Sequence, residues 1–276
     1  MEQILKTMLE NVRAKTPLVH NITNYVTVND VANVLLAAGG SPIMSDDADD
    51  VEDITSICGG LNINIGTLNK NTIPSMFLAG RKANELGHIV LLDPVGAGAS
   101  RLRTDTANRL MREVRFDAVR GNISEIKTLC TGSGTTKGVD ADAVDAVTEA
   151  NLDNGVALVK AFARQAGCII AVTGAIDLVS DGERCWCIRN GRAEMSRITG
   201  TGCQLSALTT AFLVANPEHK LEAAAAAVCT MGLAGEIAWA NMQPGDGNST
   251  YRNRIIDAIF NMTGDTLEEG AKYELR

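Results

Sequence analysis

His88-Ile89-Val90-Leu91-Leu92-Asp93-Pro94-Val95-Gly96-Ala97-Gly98 is apolar without interruption from Ile89 to Leu92, then ends in an aspartate, a proline and two glycines. A strand apolar on both sides belongs in a parallel sheet with helices on each face, because a strand with one wet face alternates. Its end is marked by the Pro and Gly that follow. Asp93 then sits at the carboxyl end of a buried strand, where open α/β sheets bind their ligands.

Reading outward from this strand, periodicity gives an alternating series of elements. Toward the C-terminus, Arg101 to Val114 is helical and Phe116 to Arg120 is a strand. That strand leads into Gly121-Asn122-Ile123-Ser124-Glu125 and a helix to about Cys130. Asn154 to Ala166 is helical, and Cys168 to Gly174 is a buried strand ending in the hydroxyl of Thr173 and a glycine. Leu178 to Ser180 and Arg184 to Arg189, joined by Asp181-Gly182, predict a hairpin at the sheet edge. Helices are expected after Cys203, over Leu221 to Ala240 and over Arg252 to Met262. Toward the N-terminus, Leu61 to Gly66 and Ser41 to Ser45 are strands, Pro74 to Leu86 is a helix, and Val26 to Ala38 is a helix stopped by Gly39-Gly40. Ile4, Leu5, Met8, Leu9 and Val12 fall at helical spacing, which predicts an amphipathic surface helix rather than a signal peptide. No repeat or linker interrupts the series. The expectation is one three-layer α/β domain over residues 1–276, with a mostly parallel sheet and a late antiparallel hairpin.

Composition narrows the function. Hydrophobic residues make up 45% and charged ones 21%, the profile of a soluble globular protein. With 25 Lys and Arg against 33 Asp and Glu, the net charge of -8 argues against nucleic-acid binding. The longest apolar run, Glu222 to Glu236, is too short on its face to cross a bilayer. Seven cysteines without framework spacing predict free thiols in a reducing cytoplasm. Cys185 and Cys187 lack the second pair that a zinc site needs, so they read as structural.

Several stretches carry candidate chemistry. In Arg197-Ile198-Thr199-Gly200-Thr201-Gly202-Cys203-Gln204, two glycines let the backbone turn and approach a ligand at the start of a helix. The unpaired N–H groups and positive dipole end of that helix form an anion site. Cys203 stands there either as a thiol of lowered pKa or as a small buried hydrophobe. Asn122 and Glu125, three apart, read either as a helix cap or as part of a metal-bound phosphate site, since Mg²⁺ takes few carboxylates and keeps its waters. His20, Asn21, Thr23 and Asn24 form a polar patch best explained as turn and capping chemistry. The acidic run Asp46 to Asp53 reads as a solvated first turn of a helix rather than a metal site. Gly132 to Gly138 is a loop that matches neither a P-loop nor a dinucleotide fingerprint. Hydrolase signatures such as Gly-x-Ser-x-Gly and His-Glu-x-x-His do not occur. Asp93, Asn122, Glu125, Thr173 and the Gly200 to Cys203 loop together suit phosphoryl transfer, which depends on positioning and charge neutralisation.

Asn122-Ile123-Ser124-Glu125 resembles the Asn-x-x-Glu motif of ribokinase-like kinases, and Gly200-Thr201-Gly202-Cys203 resembles their anion-hole loop, with Cys203 where most members carry Asp. That cysteine, with His20 to Val26, Ser41-Pro42-Ile43-Met44, Asp93 to Gly98 and Arg120-Gly121-Asn122, is similar nearly end to end to the hydroxyethylthiazole kinase family. The resemblance implies a ribokinase-like αβα sandwich that uses ATP and Mg²⁺ to phosphorylate 4-methyl-5-(2-hydroxyethyl)thiazole for thiamine salvage. It implies that Arg120 and Thr173 contact ATP with Asn122 nearby, and that Asp93 and Glu125 organise Mg²⁺ through water. Met44 and Gly200 would contact the thiazole alcohol, with Asn24 close by. Gly200 and Gly202 would shape the anion hole, and Cys203 would deprotonate or orient the hydroxyl. A homotrimer with sites between subunits is also implied. The segment Gly247 to Arg252 follows the family only loosely, and nothing is inferred from it. Alternatives are a kinase for another small alcohol such as a hydroxymethylpyrimidine, a nucleotide-dependent dehydratase on the same fold, and a non-catalytic binding protein.

Overall fold

The computed structural model describes residues 3–131 and 146–276; the Gly132 to Gly138 loop lies outside them. The strand expected around Asp93 is β4, Ile89–Asp93. It lies inside a nine-stranded sheet ordered β2-β1-β3-β4-β5-β6-β7-β8-β9. The first six strands are β1 (Leu18–Ile22), β2 (Ser41–Met44), β3 (Gly60–Asn64), β4, β5 (Ala118–Asn122) and β6 (Ile169–Thr173). All their pairings are parallel. The antiparallel end consists of β7 (Asp177–Ser180), β8 (Cys185–Ile188) and β9 (Tyr273–Leu275).

The unbroken apolar runs follow from two cores fed by one strand. Ile89 and Leu91 of β4 join one cluster, with Ala118 of β5 and Ile169 and Ala171 of β6. Val90 and Leu92, Val119, Ile170 and Val172 point the other way into a second. Strand side chains alternate between faces, so a strand covered on both sides must be apolar at every position. Helices α1 (Ile4–Lys15), α2 (Val28–Ala38), α8 (Thr201–Ala215), α9 (Lys220–Ala240), α10 (Asn248–Asn261) and α11 (Gly264–Gly270) cover the first face. The other face is covered by α3 (Val51–Ile57), α4 (Thr72–Leu86), α5 (Arg101–Glu113), α6 (Ile123–Thr131) and α7 (Leu152–Ala166).

Four expectations need correction. The hairpin β7–β8 is not at the edge, because β9 pairs with β8 beyond it. His20 and Asn21 are not turn or capping residues: they belong to β1, which sits between β2 and β3. Their polar groups are satisfied inside the fold. His20 Nδ1 meets Thr55 Oγ1 at 2.9 Å and Nε2 meets the Ser45 carbonyl at 2.9 Å, while Asn62 Nδ2 donates to Asn21 Oδ1 at 3.0 Å. Helix α9 extends beyond the 222–236 run to 21 residues and is long and apolar enough to span a membrane, but 78% of its apolar window is buried inside the protein. Finally, α3 begins at Val51, past most of the acidic run, with Glu52 and Asp53 in its first turn.

Candidate active site

Parallel strands deliver their last residues to a common edge, so the ends of β3 to β6 bring Asn64, Asp93, Asn122 and Thr173 to one side of the sheet. Helix α8 enters over this edge. Its N-cap Gly200 has φ +91°, a conformation costly for any residue with a Cβ, and such a carbon would lie 2.3 Å from Thr27 Cγ2.

Asp93 is fully buried. Its Oδ2 accepts from Ser206 Oγ at 2.7 Å and Asn64 Nδ2 at 2.8 Å, and lies 3.6 Å from Arg120 Nη1. Oδ1 is buried without a hydrogen-bond partner. Burial pushes the carboxyl above its ordinary range, against the opposing pull of Arg120, Ser206 and Asn64. Glu125 Oε1 accepts from the Gly96 amide at 2.7 Å, and Oε2 from the Asn122 amide at 2.9 Å. The Asn122 side chain returns the bond by accepting from Glu125 N at 2.9 Å. The pair is therefore a reciprocal cap of α6, and the cap fixes a buried carboxylate beside Asp93. Burial, then the Asp93 charge, push Glu125 up to about 7.

Arg120 bridges strands. Nη2 donates to Thr173 Oγ1 at 2.5 Å, Nη1 faces Asp93, and Nε is buried without a partner. Gly202 packs on the guanidinium, so that a β-carbon there would lie 2.6 Å from Nη1.

Cys203 is buried and belongs with Val19, Val31 and Leu35 to a small apolar cluster against which Met44 packs. Its Sγ accepts from Asn24 Nδ2 at 2.9 Å, and Asn24 Oδ1 accepts from Thr27 Oγ1 at 3.0 Å. The thiol is not lowered, as the helix terminus suggested, but raised: burial is the larger cause and the Asp93 charge the next.

The residues the resemblance assigned to ATP, metal and alcohol thus lie along this edge, and Thr27, Asn64 and Ser206 join them. Asn64 Nδ2 holds Asp93, while Oδ1 accepts from Gly66 N at 2.9 Å and Asn24 Nδ2 at 3.3 Å. The available signal for Asn64 was its place at a strand end two residues before a glycine. Among the described residues no group of three or more His, Cys, Asp or Glu side chains forms a metal cage. A weakly caged Mg²⁺ is compatible with that, since it retains water.

A family model for the hydroxyethylthiazole kinase family matches residues 9–265. A hydroxyethylthiazole kinase of Clostridium acetobutylicum is 58% identical over 271 residues, 98% of this chain and 99% of that one. The chain belongs to the hydroxyethylthiazole kinase family. A solved hydroxyethylthiazole kinase structure from Pyrococcus horikoshii OT3 matches with a TM-score of 0.88 at 34% identity, covering 99% of each chain. Pyridoxal kinase from Staphylococcus aureus, solved with AMP-PCP, shares the fold at a TM-score of 0.61 and 15% identity, over 94% of this chain and 97% of that one. The sandwich is therefore ribokinase-like, and the protein is a kinase with ATP as co-substrate.

Proposed function

We propose that this kinase transfers the γ-phosphoryl group of ATP to the primary hydroxyl of 4-methyl-5-(2-hydroxyethyl)thiazole, within thiamine salvage. The observation that carries this is the meeting, at one sheet edge, of two buried carboxylates, a buried guanidinium and a glycine-built helix N-terminus. A phosphoryl group needs charge neutralisation and donors where charge develops, and this edge supplies both.

Arg120 and Thr173 contact the ATP phosphates, with Asn122 beside them. The amides at the start of α8, from Gly200 to Cys203, hold the transferring group, and Gly200 and Gly202 let it come close to the backbone. Asp93 and Glu125 are the residues to hold Mg²⁺ through water. Asp93 Oδ1 is a buried acceptor without a partner, and two carboxylates face only one guanidinium, so the donor set fits a divalent cation. Bound there, Mg²⁺ neutralises phosphate charge. Met44, Gly200 and Asn24 contact the thiazole alcohol. The alcohol oxygen attacks the γ-phosphorus in line, the bond to the β,γ-bridging oxygen breaks, ADP leaves with that electron pair, and the hydroxyl proton passes to an oxygen of the transferred phosphoryl group. Cys203 orients the hydroxyl; a thiol raised by burial and by Asp93 is a poor proton acceptor, and a loose transition state needs little base help.

The chain works as one domain in a homotrimer with its sites between subunits. Tyr25 and Val26, adjoining Asn24, are 58% and 66% exposed, which supports a partner surface beside the alcohol pocket. Seven unpaired cysteines suit the cytoplasm.

The test is ADP release from ATP and Mg²⁺, with the thiazole alcohol and a hydroxymethylpyrimidine as parallel acceptors. Thiazole-dependent release supports the reading; release with the pyrimidine alone replaces it.

A further inference from the structure

Asn64 touches both halves of the proposed site. Its Nδ2 donates to Asp93 Oδ2, and its Oδ1 accepts from Gly66 N and from Asn24 Nδ2. Asn24 in turn donates to the Cys203 sulfur. The buried Asn64 side chain therefore joins the carboxylate Asp93 to the amide that touches Cys203. Its amide cannot be turned over. A carboxylate faces one end and requires a donor, while two N–H groups face the other and require an acceptor. Only a short carboxamide meets both demands here. Aspartate would set two carboxylates against each other, and leucine would leave Asp93 Oδ2, Gly66 N and Asn24 short of a partner.

The consequence for Asp93 is directional. Asn64 and Ser206 both occupy Oδ2, which leaves Oδ1 as the buried oxygen without a partner. We infer that Asn64 is a positioning residue that couples the two half-sites, aiming Asp93 Oδ1 at the cation position and holding Asn24 against the alcohol pocket. This rests on the kinase reading for the identity of the two ligands. A substrate that shifts Asn24 is then felt at Asp93 through one side chain about as short as such a link can be.

Neighbouring contacts allow the two arms to be separated. Ser206 reaches Asp93 and the Gly202 carbonyl but not Asn24, and Thr27 reaches Asn24 but not Asp93. Asn64→Ser is the central variant: a serine hydroxyl can still close the turn onto Gly66 N, as Ser180 does onto Gly182 N at 3.0 Å, but is too short to reach Asp93. Ser206→Ala and Thr27→Val are its single-arm controls. For each folded variant, Mn²⁺ binding would be measured by electron paramagnetic resonance with a non-hydrolysable ATP analogue. Binding of the thiazole alcohol to nucleotide-free protein would be measured by calorimetry.

The expected pattern is selective. Ser206→Ala weakens Mn²⁺ binding about threefold to tenfold and leaves alcohol binding unchanged. Thr27→Val does the reverse. Asn64→Ser weakens both, and in it the alcohol no longer alters Mn²⁺ affinity as it does in the wild type. Coupling is overturned if Asn64→Ser shifts one ligand only, or if alcohol and Mn²⁺ bind independently in the wild type. A merely structural role would lower the melting temperature without moving this pattern. Should Asn64→Ser fail to fold, independence of the two ligands in the wild type still overturns the inference, and mutual dependence that survives Thr27→Val with undiminished alcohol binding does so too. Wild-type ADP release with the thiazole alcohol tests the kinase reading by itself, so failure there is distinguishable from failure of the coupling.

Discussion

Gly202 and Arg120 are packed so closely that a β-carbon on the glycine would lie 2.6 Å from Nη1 and 3.0 Å from Nη2 of the guanidinium. The guanidinium has little freedom to yield, since it is held between Thr173 and Asp93. Gly202 lies in the first turn of α8, however, where alanine is a better helix former by roughly 1 kcal/mol. The clash with Arg120 works against that gain, so Gly202→Ala is expected to leave the melting temperature near the wild-type value while lowering kcat/KM on the order of 100-fold, the scale of a lost transition-state donor. Gly200→Ala should differ. At φ +91° and against Thr27 it loses stability as well, by about 1–3 kcal/mol. Thermal melts run beside kinetics separate the two, and an active Gly202→Ala would remove Arg120 from the proposed ATP site.

Cys203 bears on how the hydroxyl loses its proton. Asn24 donates to its sulfur, while burial and the Asp93 carboxylate raise the thiol. The native protein should therefore resist iodoacetamide at this position at pH 8, because the thiolate is the reactive form. Cys203→Ala should cost no more than about tenfold in kcat, less than a general base contributes. Mass-spectrometric mapping of alkylated cysteines and steady-state rates check the two halves. Fast alkylation of Cys203, with a loss of several thousandfold in the alanine variant, would restore the thiolate base.

The contrast between Asp93 and Asn64 shows where sequence reading stopped. Asp93 was legible because β4 is apolar on both faces and a carboxylate ending such a run has few structural uses. The Asn122–Glu125 pair was legible because both ends of its contact lie within one helical turn. Strand β1 was not, since its His20 and Asn21 are satisfied by Thr55, Ser45 and Asn62, partners that only the assembled sheet supplies. Asn64 was missed for the same reason: two of its three partners, Asp93 and Asn24, come from other segments. The raised thiol of Cys203 also depends on a distant group. The helix terminus is local in sequence, whereas the Asp93 charge that opposes it arrives from β4. Strand β9, three residues long, carries too little pattern to be read.

His20 gives a pH dependence of stability. Burial, its largest influence, lowers its pKa from 6.5, although Ser45 and Asp50 oppose this. The unfolded chain then takes up a proton near pH 6.5 while the folded protein still resists it. Stability is fully present above pH 6.5 and declines as pH falls below it, by up to ~2 kcal/mol at pH 5. His20→Phe should be less stable at pH 7.5, having left Thr55 and the Ser45 carbonyl without their partner, yet should lose less between pH 7.5 and pH 5. Urea titrations at the two pH values test this. Parallel losses in both proteins would remove His20 from the acid response.

Glu125 should show the opposite slope. Its folded pKa, about 7, lies above the ordinary 4.5, with burial the larger cause and the Asp93 charge the second. Between those values the unfolded chain has released its proton and the folded protein has not, so this group's contribution to stability falls as pH rises, and above pH 7 the full cost remains. Removing the charge should thus stabilise the metal-free protein at pH 8. Gln keeps one accepting oxygen but gives up one of the two amide contacts, to Gly96 or to Asn122, which reduces the gain. Glu125→Gln is expected to be more stable than wild type by on the order of 1 kcal/mol at pH 8 without metal, and no more stable at pH 5. Its kcat should fall at least 100-fold, because an amide cannot replace the lost negative charge where phosphate and cation are organised. Added Mg²⁺ and ATP should raise the wild-type melting temperature more than that of Glu125→Gln, closing or reversing the gap at pH 8. A variant destabilised equally at both pH values would mean that the Gly96 and Asn122 contacts, and not the buried charge, set the energetics of Glu125.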